Sequence, residues 1–181
     1  MSAARLRPTL ELPVHGARLR PWQLSDAQAL STHGNSRAIW LNLRDRFPNP
    51  YTLTDAEHHL RFVLSPEGMT DVHLCIEVDG EAAGSISVLF KQDVNRRSAE
   101  IGYFLGQQFW GRGITTAAVV ALTDYAFTNF DLCRLYAVVF APNAASARVL
   151  EKAGYELEAR LRKSITKDGQ TMDSLLYASV K

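Results

Sequence analysis

Between Ser98 and Asn129 the chain changes from a strand period to a helix period across a turn that holds two glycines. Ser98 to Leu105 alternates, with Ala99, Ile101, Tyr103 and Leu105 on one face and Glu100, Gly102 and Phe104 on the other. That is the two-residue period of a strand. From Ile114 to about Thr128, the apolar positions Ile114, Ala118, Ala121, Leu122 and Tyr125 follow a 3.6-residue helical period. Asp124 is the only charge in this helix, which is therefore expected to be buried on more than one side. A strand feeding a helix through a glycine turn commits the chain to a mixed α/β layering.

The remaining elements agree. Ala17 to Trp22 reads as a first strand, and Ser25 or Asp26 as the cap of a helix running toward Gly34. Phe47-Pro48-Asn49-Pro50-Tyr51 excludes both helix and central strand, because two prolines remove donors and restrict the backbone. A capping run Thr54-Asp55-Ala56-Glu57 is expected to open a helix to about Leu64. Val72 to Val78 and Ala82 to Phe90 alternate on either side of Asp79-Gly80, a hairpin signal. Cys133 to Ala141 is a fifth strand and Asn143 to Ala153 a second long helix. Glu158 to Ile165 and Thr171 to Val180 form a closing hairpin around Lys167-Asp168-Gly169. Residues 1–15, with Pro8 and Pro13, read as a loose N-terminal arm, and the whole of 1–181 as a single domain.

Charge narrows the partners. Twenty basic and 19 acidic residues give a net +1, with no footprint for nucleic acid or an anionic membrane. Met1 to Gly16 lacks the apolar core of a signal peptide, and no uncharged run approaches a membrane span. Cys75 and Cys133 sit in apolar runs, which suggests reduced thiols and a cytoplasmic setting. Neither has a histidine partner in sequence, and His58-His59 forms no metal motif, so no metal and no covalent intermediate are expected.

Chemistry concentrates in two places. In Gln108-Phe109-Trp110-Gly111-Arg112-Gly113 the glycines let the backbone turn sharply, and its N–H groups then face outward at the positive end of the Ile114 helix. Such a turn suits a pyrophosphate, although a tight connection without a ligand uses the same residues. It is no Walker loop, lacking Gly-Lys-Ser/Thr, and Thr116 stands where a dinucleotide fingerprint would have its third glycine. The second place is Asn143-Ala144-Ala145-Ser146 through Leu150-Glu151-Lys152-Ala153-Gly154-Tyr155. There Asn143 also reads as a helix N-cap and Gly154 as the C-terminal stop.

Together, Ala99-Glu100-Ile101-Gly102-Tyr103, Gln108-x-x-Gly111-Arg112-Gly113, Asn143-x-x-Ser146 and Leu150-Glu151-Lys152-x-Gly154-Tyr155 resemble the GNAT N-acetyltransferases. The closer likeness is to the branch of ribosomal-protein N-terminal acetyltransferases of the RimJ/RimL type. It extends from Leu19-Arg20-Pro21 to the last strand and includes Phe47-Pro48-x-Pro50-Tyr51-Thr52.

The resemblance implies a mostly antiparallel sheet of six to seven strands with flanking helices, its fourth and fifth strands splayed into a V-shaped slot. It implies acetyl-CoA as co-substrate. Pantetheine would lie on Tyr103, Phe104 and Leu105, and pyrophosphate on Gly111, Arg112, Gly113, Ile114 and Thr115, with Gln108 opening the same CoA-binding turn. Asn143 would meet the pantetheine amide, Ser146 the sulfur and Arg148 the nucleotide end. An exposed helical arginine is, however, the commoner state for residue 148.

Attack on a thioester needs a neutral amine, whereas an α-amine titrates near 8 and a lysine near 10.4. Glu100 is the candidate base, weighed against a structural ion pair at the same position. A backbone N–H near Leu105 would hold the oxyanion. Many relatives place a tyrosine acid seven residues after the capping asparagine; this chain has Leu150 there, which leaves Ser146 or solvent to protonate the thiolate.

Arg44, Asp45, Phe47 and Tyr51 are the candidate acceptor residues, with packing the bland reading for the two aromatic ones. The acceptor itself is an amine on a small molecule or a protein N-terminus. A non-catalytic acyl-CoA-binding module, transfer of a longer acyl group such as succinyl into the space by Phe104 and Val138, and a homodimer through the Ile114 helix all remain open.

Overall fold

An eight-stranded sheet carries helices on both faces; the computed structural model describes residues 7–181. The strands are β1 (Leu10–Glu11), β2 (Ala17–Pro21), β3 (Val72–Val78), β4 (Glu81–Phe90), β5 (Ser98–Leu105), β6 (Arg134–Phe140), β7 (Glu156–Lys167) and β8 (Gln170–Val180). They lie side by side in the order β1-β2-β3-β4-β5-β6-β8-β7. The helices are α1 (Ala27–Gly34), α2 (Arg37–Trp40), α3 (Leu53–Leu64), α4 (Ile114–Asn129) and α5 (Ala144–Lys152). All sheet neighbours are antiparallel except β5 and β6.

The extra strand corrects one expectation. Residues 1–6 of the expected arm lie outside the described residues, but Leu10–Glu11 pairs with Leu19 and Arg18, and Leu12 is buried. Apolar burial at Leu10 and Leu12 outweighs the two nearby prolines, so this part of the arm is built into the sheet edge. Two caps also differ. α3 starts two residues earlier than expected, with Thr52 and Asp55 exchanging a reciprocal capping box (Asp55 N–H to Thr52 Oγ1, 3.2 Å; Thr52 N–H to Asp55 Oδ2, 2.8 Å). Before α1, Asp26 does not cap the helix by its side chain. Its carboxylate takes the Gln23 N–H at 2.9 Å and a two-pronged contact from Arg20 at 2.7 and 2.9 Å. Arg20, buried and further bonded to Glu77, is held above its ordinary value, chiefly by the Asp26 contact. This charged knot joins α1 to β2 and β3.

Two cores lie on opposite faces of the sheet. Val72, Leu74, Ile76, Ile86, Ile101 and Leu105 face α4, whose Ile114, Ala118, Leu122 and Ala126 are buried against them. Cys75 faces the other side, with Leu30 of α1 and Ala56, Leu60 and Val63 of α3. The expected burial of α4 on several sides holds, since it packs on β2, β4, β5 and α5. These contacts within the chain account for its apolar faces, apart from Val120, which is exposed. Both hairpins turn on left-handed residue pairs, Asp79-Gly80 (φ 50° and 85°) and Asp168-Gly169 (φ 51° and 72°), whose twist matches the flanking strands. Among the described residues no helix is long and apolar enough to cross a membrane.

Candidate active site

β5 and β6 pair only at Ser98/Arg134, Ala99/Leu135 and Glu100/Tyr136, and beyond Glu100 they separate. The opening continues into a cavity of about 1060 Å³. Every site residue anticipated from sequence lines it except Gln108, which is exposed on a short 3-10 turn, and Asp45.

One wall of the opening is backbone. The Gly106 N–H bonds the Ala83 carbonyl at 2.8 Å, which makes Gly84/Leu105 a non-hydrogen-bonded pair of the β4–β5 ladder. Alternation then turns the N–H and C=O groups of Tyr103 and Leu105 away from β4, toward the opening. The Leu105 carbonyl is taken by the Trp110 indole at 2.7 Å, while its N–H has no protein partner among the described residues.

The turn that follows holds Gly111 and Gly113 at φ 76° and 77°, the left-handed region, and Gly113 directly precedes α4. A Cβ at either glycine would meet nothing within 4 Å, so the requirement there is conformational rather than spatial. The amides from Gly111 to Thr115 find no acceptor in the described chain and sit at the positive end of a 16-residue helix. α1 supports this turn from behind. His33 packs edge-on against Phe109 at 5.2 Å and bonds Glu81 at 2.8 Å, and Ser36 bonds Gln107 at 2.7 Å.

α5 closes the same wall. Asn143 Oδ1 accepts the Ser146 N–H at 3.1 Å, the expected N-cap, which leaves the Asn143 amide NH₂ available. The Ser146 hydroxyl lies 2.9 Å from the Tyr103 hydroxyl, so a hydrogen bond spans the opening from α5 to β5. Burial pushes the Tyr103 phenol up to about 12, against the opposing effect of that bond. Leu150 is fully buried in the core. Arg148 is 72% exposed at the rim, 3.9 Å from Glu151. Gly154 takes φ 83° just past the end of α5.

The facing wall is made of side chains. Register aligns Ser87 with Gly102 and with His73, and Leu89 with Glu100, on the face that carries α1 and α3. Glu100 is gripped by Arg44 and lies 3.4 Å from Lys91, so its carboxylate has structural partners as well as a place in the opening. Phe47 stacks on Tyr51 (centroids 4.2 Å apart, planes within 5°) and meets the Phe104 edge at 5.4 Å. Tyr51 is buried and serves the packing role. Asp45 instead accepts from the buried Lys167 at 2.7 Å; that ammonium also lies 3.8 Å from the Trp40 ring centre.

Sequence reading missed His58, His59, His73, Ser85, Ser87 and Arg46, all of which line this wall. Polar residues at alternate positions of two central strands were the available signal. His73 Nδ1 meets Ser87 Oγ at 2.9 Å while Nε2 is buried without a partner. Burial, reinforced by the nearby charges of His59, Arg7 and Arg46, pulls His73 down to about 3, so this imidazole is neutral. Burial also lifts the Cys75 thiol to about 12, and both cysteines are free.

Comparison with known proteins agrees with this geometry. Residues 17–156 match the acetyltransferase (GNAT) domain. The spermidine N(1)-acetyltransferase of Escherichia coli K12 is 26% identical over 166 residues, 89% of this chain and 84% of that protein. RimJ of Mycobacterium smegmatis, solved with CoA-disulfide, superposes with a TM-score of 0.83 at 26% identity, covering 96% of this chain and 86% of that one. RimL, the ribosomal L7/L12 alpha-N-protein acetyltransferase solved with coenzyme A, gives 0.83 at 22%, covering 96% and 98%. The chain belongs to the GNAT acetyltransferase family, on its RimJ/RimL-like branch, and is an acyl-CoA-dependent transferase.

Proposed function

We propose that this protein moves the acetyl group of acetyl-CoA to an amine, on a protein or peptide N-terminus or on a small molecule, by direct attack of the amine on the thioester. The observation that carries the reading is the slot itself. One wall presents unpaired amides from Gly111 to Thr115 and at Tyr103 and Leu105, and the other presents a carboxylate and a polar recess. The solved relatives hold CoA or its disulfide, and RimL acts on a protein α-amine, which supports the same assignment here.

In this scheme the turn and the start of α4 receive the pyrophosphate, and the Asn143 amide and β5 edge align the pantetheine arm. Arg148 serves the nucleotide end. The Leu105 N–H is placed to stabilise the oxyanion, as a fixed dipole that needs no reorganisation. Glu100 takes the ammonium proton directly or through water, while Arg44 and Lys91 hold its carboxylate in place. With Leu150 in the core, Ser146 supplies the proton to the departing thiolate, and the Tyr103 hydroxyl fixes its rotamer. Only modest help is needed, since a thiol titrates near 8.5. Phe104 and Val138 bound the space for the acyl chain, and Arg44, Phe47 and Tyr51 shape the acceptor entrance.

The test is thiol release from acetyl-CoA against a panel of N-terminal peptides and small amines, with acetylated product identified by mass. Release stimulated by an amine, and slowed on the order of 10- to 100-fold by Ser146→Ala, is expected. Tight CoA binding without stimulation by any amine would overturn the reading.

A further inference from the structure

We infer that the preferred acceptor is an amine bearing an anionic group near the reacting nitrogen, received by Arg46 over the recess formed by His58, His59 and His73. The inference rests on the amine-transfer reading above and narrows its substrate class.

Every acid on the acceptor wall is already engaged. Asp55 accepts from the Thr52 N–H and hydroxyl, Asp71 accepts from the Phe90 N–H at 2.8 Å, and Glu100 carries Arg44 and Lys91. The donors show the opposite balance. Arg46 lines the cavity and makes no hydrogen bond or ion pair with any described residue. His73 Nε2 is buried without a partner, and behind the wall Arg7 spends one nitrogen on the Gly68 carbonyl while Nε and Nη1 stay unpaired.

The positive field is felt locally. His59 and His73 are both held toward their neutral forms, first by burial and then by neighbours that include Arg46. A second ammonium group placed here would face Arg46, while Asp55 and Asp71, which form no ion pair with any described residue, are turned to main-chain donors. A carboxylate or phosphate would instead meet an unpartnered, solvent-facing guanidinium at the mouth of the recess, whose planar fork matches such a group with two hydrogen bonds.

The experiment uses the full chain with C-terminally amidated peptides Ser-Glu-Ala-Ala, Ser-Gln-Ala-Ala and Ser-Lys-Ala-Ala, with L-aspartate and spermidine as small amines. Two readouts run in parallel: kcat/KM for thiol release, and binding of each amine to the CoA-loaded protein by calorimetry. The acidic peptide is expected to exceed its glutamine counterpart about tenfold in both, with the lysine peptide weakest. L-aspartate outranking the acidic peptide would identify a small carboxylate as the source of the charge. Arg46→Gln should compress the acidic-to-neutral ratio to below about threefold, and Arg46→Glu should invert it toward the lysine peptide. Arg46 is exposed, and CoA affinity and circular dichroism report that the variants are folded.

Binding without charge order, preference for the lysine peptide or spermidine, or a preference that survives Arg46→Gln would each overturn the inference. Charge-ordered binding with no amine-stimulated release would instead sink amine transfer and leave the acceptor's charge class standing. Stimulated release without charge order does the reverse.

Discussion

The two walls of the slot are made of different material. The donor wall is main chain, comprising the β5 edge that β6 leaves unpaired, two left-handed glycines and the first turn of α4. The acceptor wall is side chain, drawn from the segment between α2 and α3, from α3, and from the polar faces of β3, β4 and β5. Backbone amides cannot be altered by most substitutions, so the donor wall suits a ligand that never changes. Side chains can be exchanged without touching the fold, which suits a partner that differs from one relative to the next.

The sharpest way to break this contrast is to strain the donor backbone. Valine at position 113 would have to hold φ near 77°, costing more than the roughly 1–2 kcal/mol of an ordinary left-handed residue. Because the space around it is open, the effect is displaced amides and not a clash. Gly113→Val is expected to weaken CoA binding about 100-fold by calorimetry, near 2.7 kcal/mol, with the fold retained. Affinity within threefold of the parent would show that the phosphates are held elsewhere.

The acceptor wall should show its cost in acid. His73 sits near 3 in the fold against an ordinary 6.5, so between those values the unfolded chain binds a proton that the folded chain refuses. Stability is therefore full above about pH 6.5 and falls as pH drops toward 3, by up to about 1.4 kcal/mol per unit. From pH 6.5 to 5 the parent should lose roughly 1.5 kcal/mol more than His73→Gln in urea titrations. Parallel losses in the two proteins would mean that His73 is hydrated or paired.

The same division explains what could be read in advance. Strands, helices and the donor turn rest on local signals, namely alternation, a helical period, and glycine where φ is positive, and each survives in one dimension. The acceptor recess does not. His73, Ser87 and Gly102 fall 14 and 15 residues apart in turn and meet only through the β3–β4–β5 register. Arg46 lies in an irregular, proline-bounded stretch whose path nothing in its own sequence determines. The capping box was misplaced because Thr54-Asp55-Ala56-Glu57 mimics one, while Thr52, next to the packed Tyr51, is where the chain enters α3. Glu100 was legible as a face and not as a role, since Arg44 and Lys91 reach it from distant positions.

Glu100 is where the walls meet, and its replacement sharpens the boundary between them. Glu100→Gln is expected to lower turnover about tenfold and move the pH–rate profile upward, because the amine must then lose its proton to solvent first. CoA affinity should stay nearly constant. A fall in rate with an unmoved profile would reduce Glu100 to the ion-pair anchor of Arg44.

The smallest expected effect probes how the acceptor wall is held. Lys167, at the end of β7 and 2% exposed, ties the α2–α3 segment down through Asp45 and the Trp40 ring. Asp45 is 75% exposed, so the ion pair itself contributes little, and the desolvated ammonium over the ring is the stronger half of the contact. Methionine keeps the bulk and removes the charge. Lys167→Met should therefore raise the acceptor KM about threefold, leaving kcat and CoA affinity nearly unchanged, because the segment loosens without the donor turn moving. If CoA affinity falls in step with acceptor KM, the two walls share one frame. The turn, buttressed by His33 and Ser36 from α1 and its flank, would then be coupled to the acceptor segment through those same contacts.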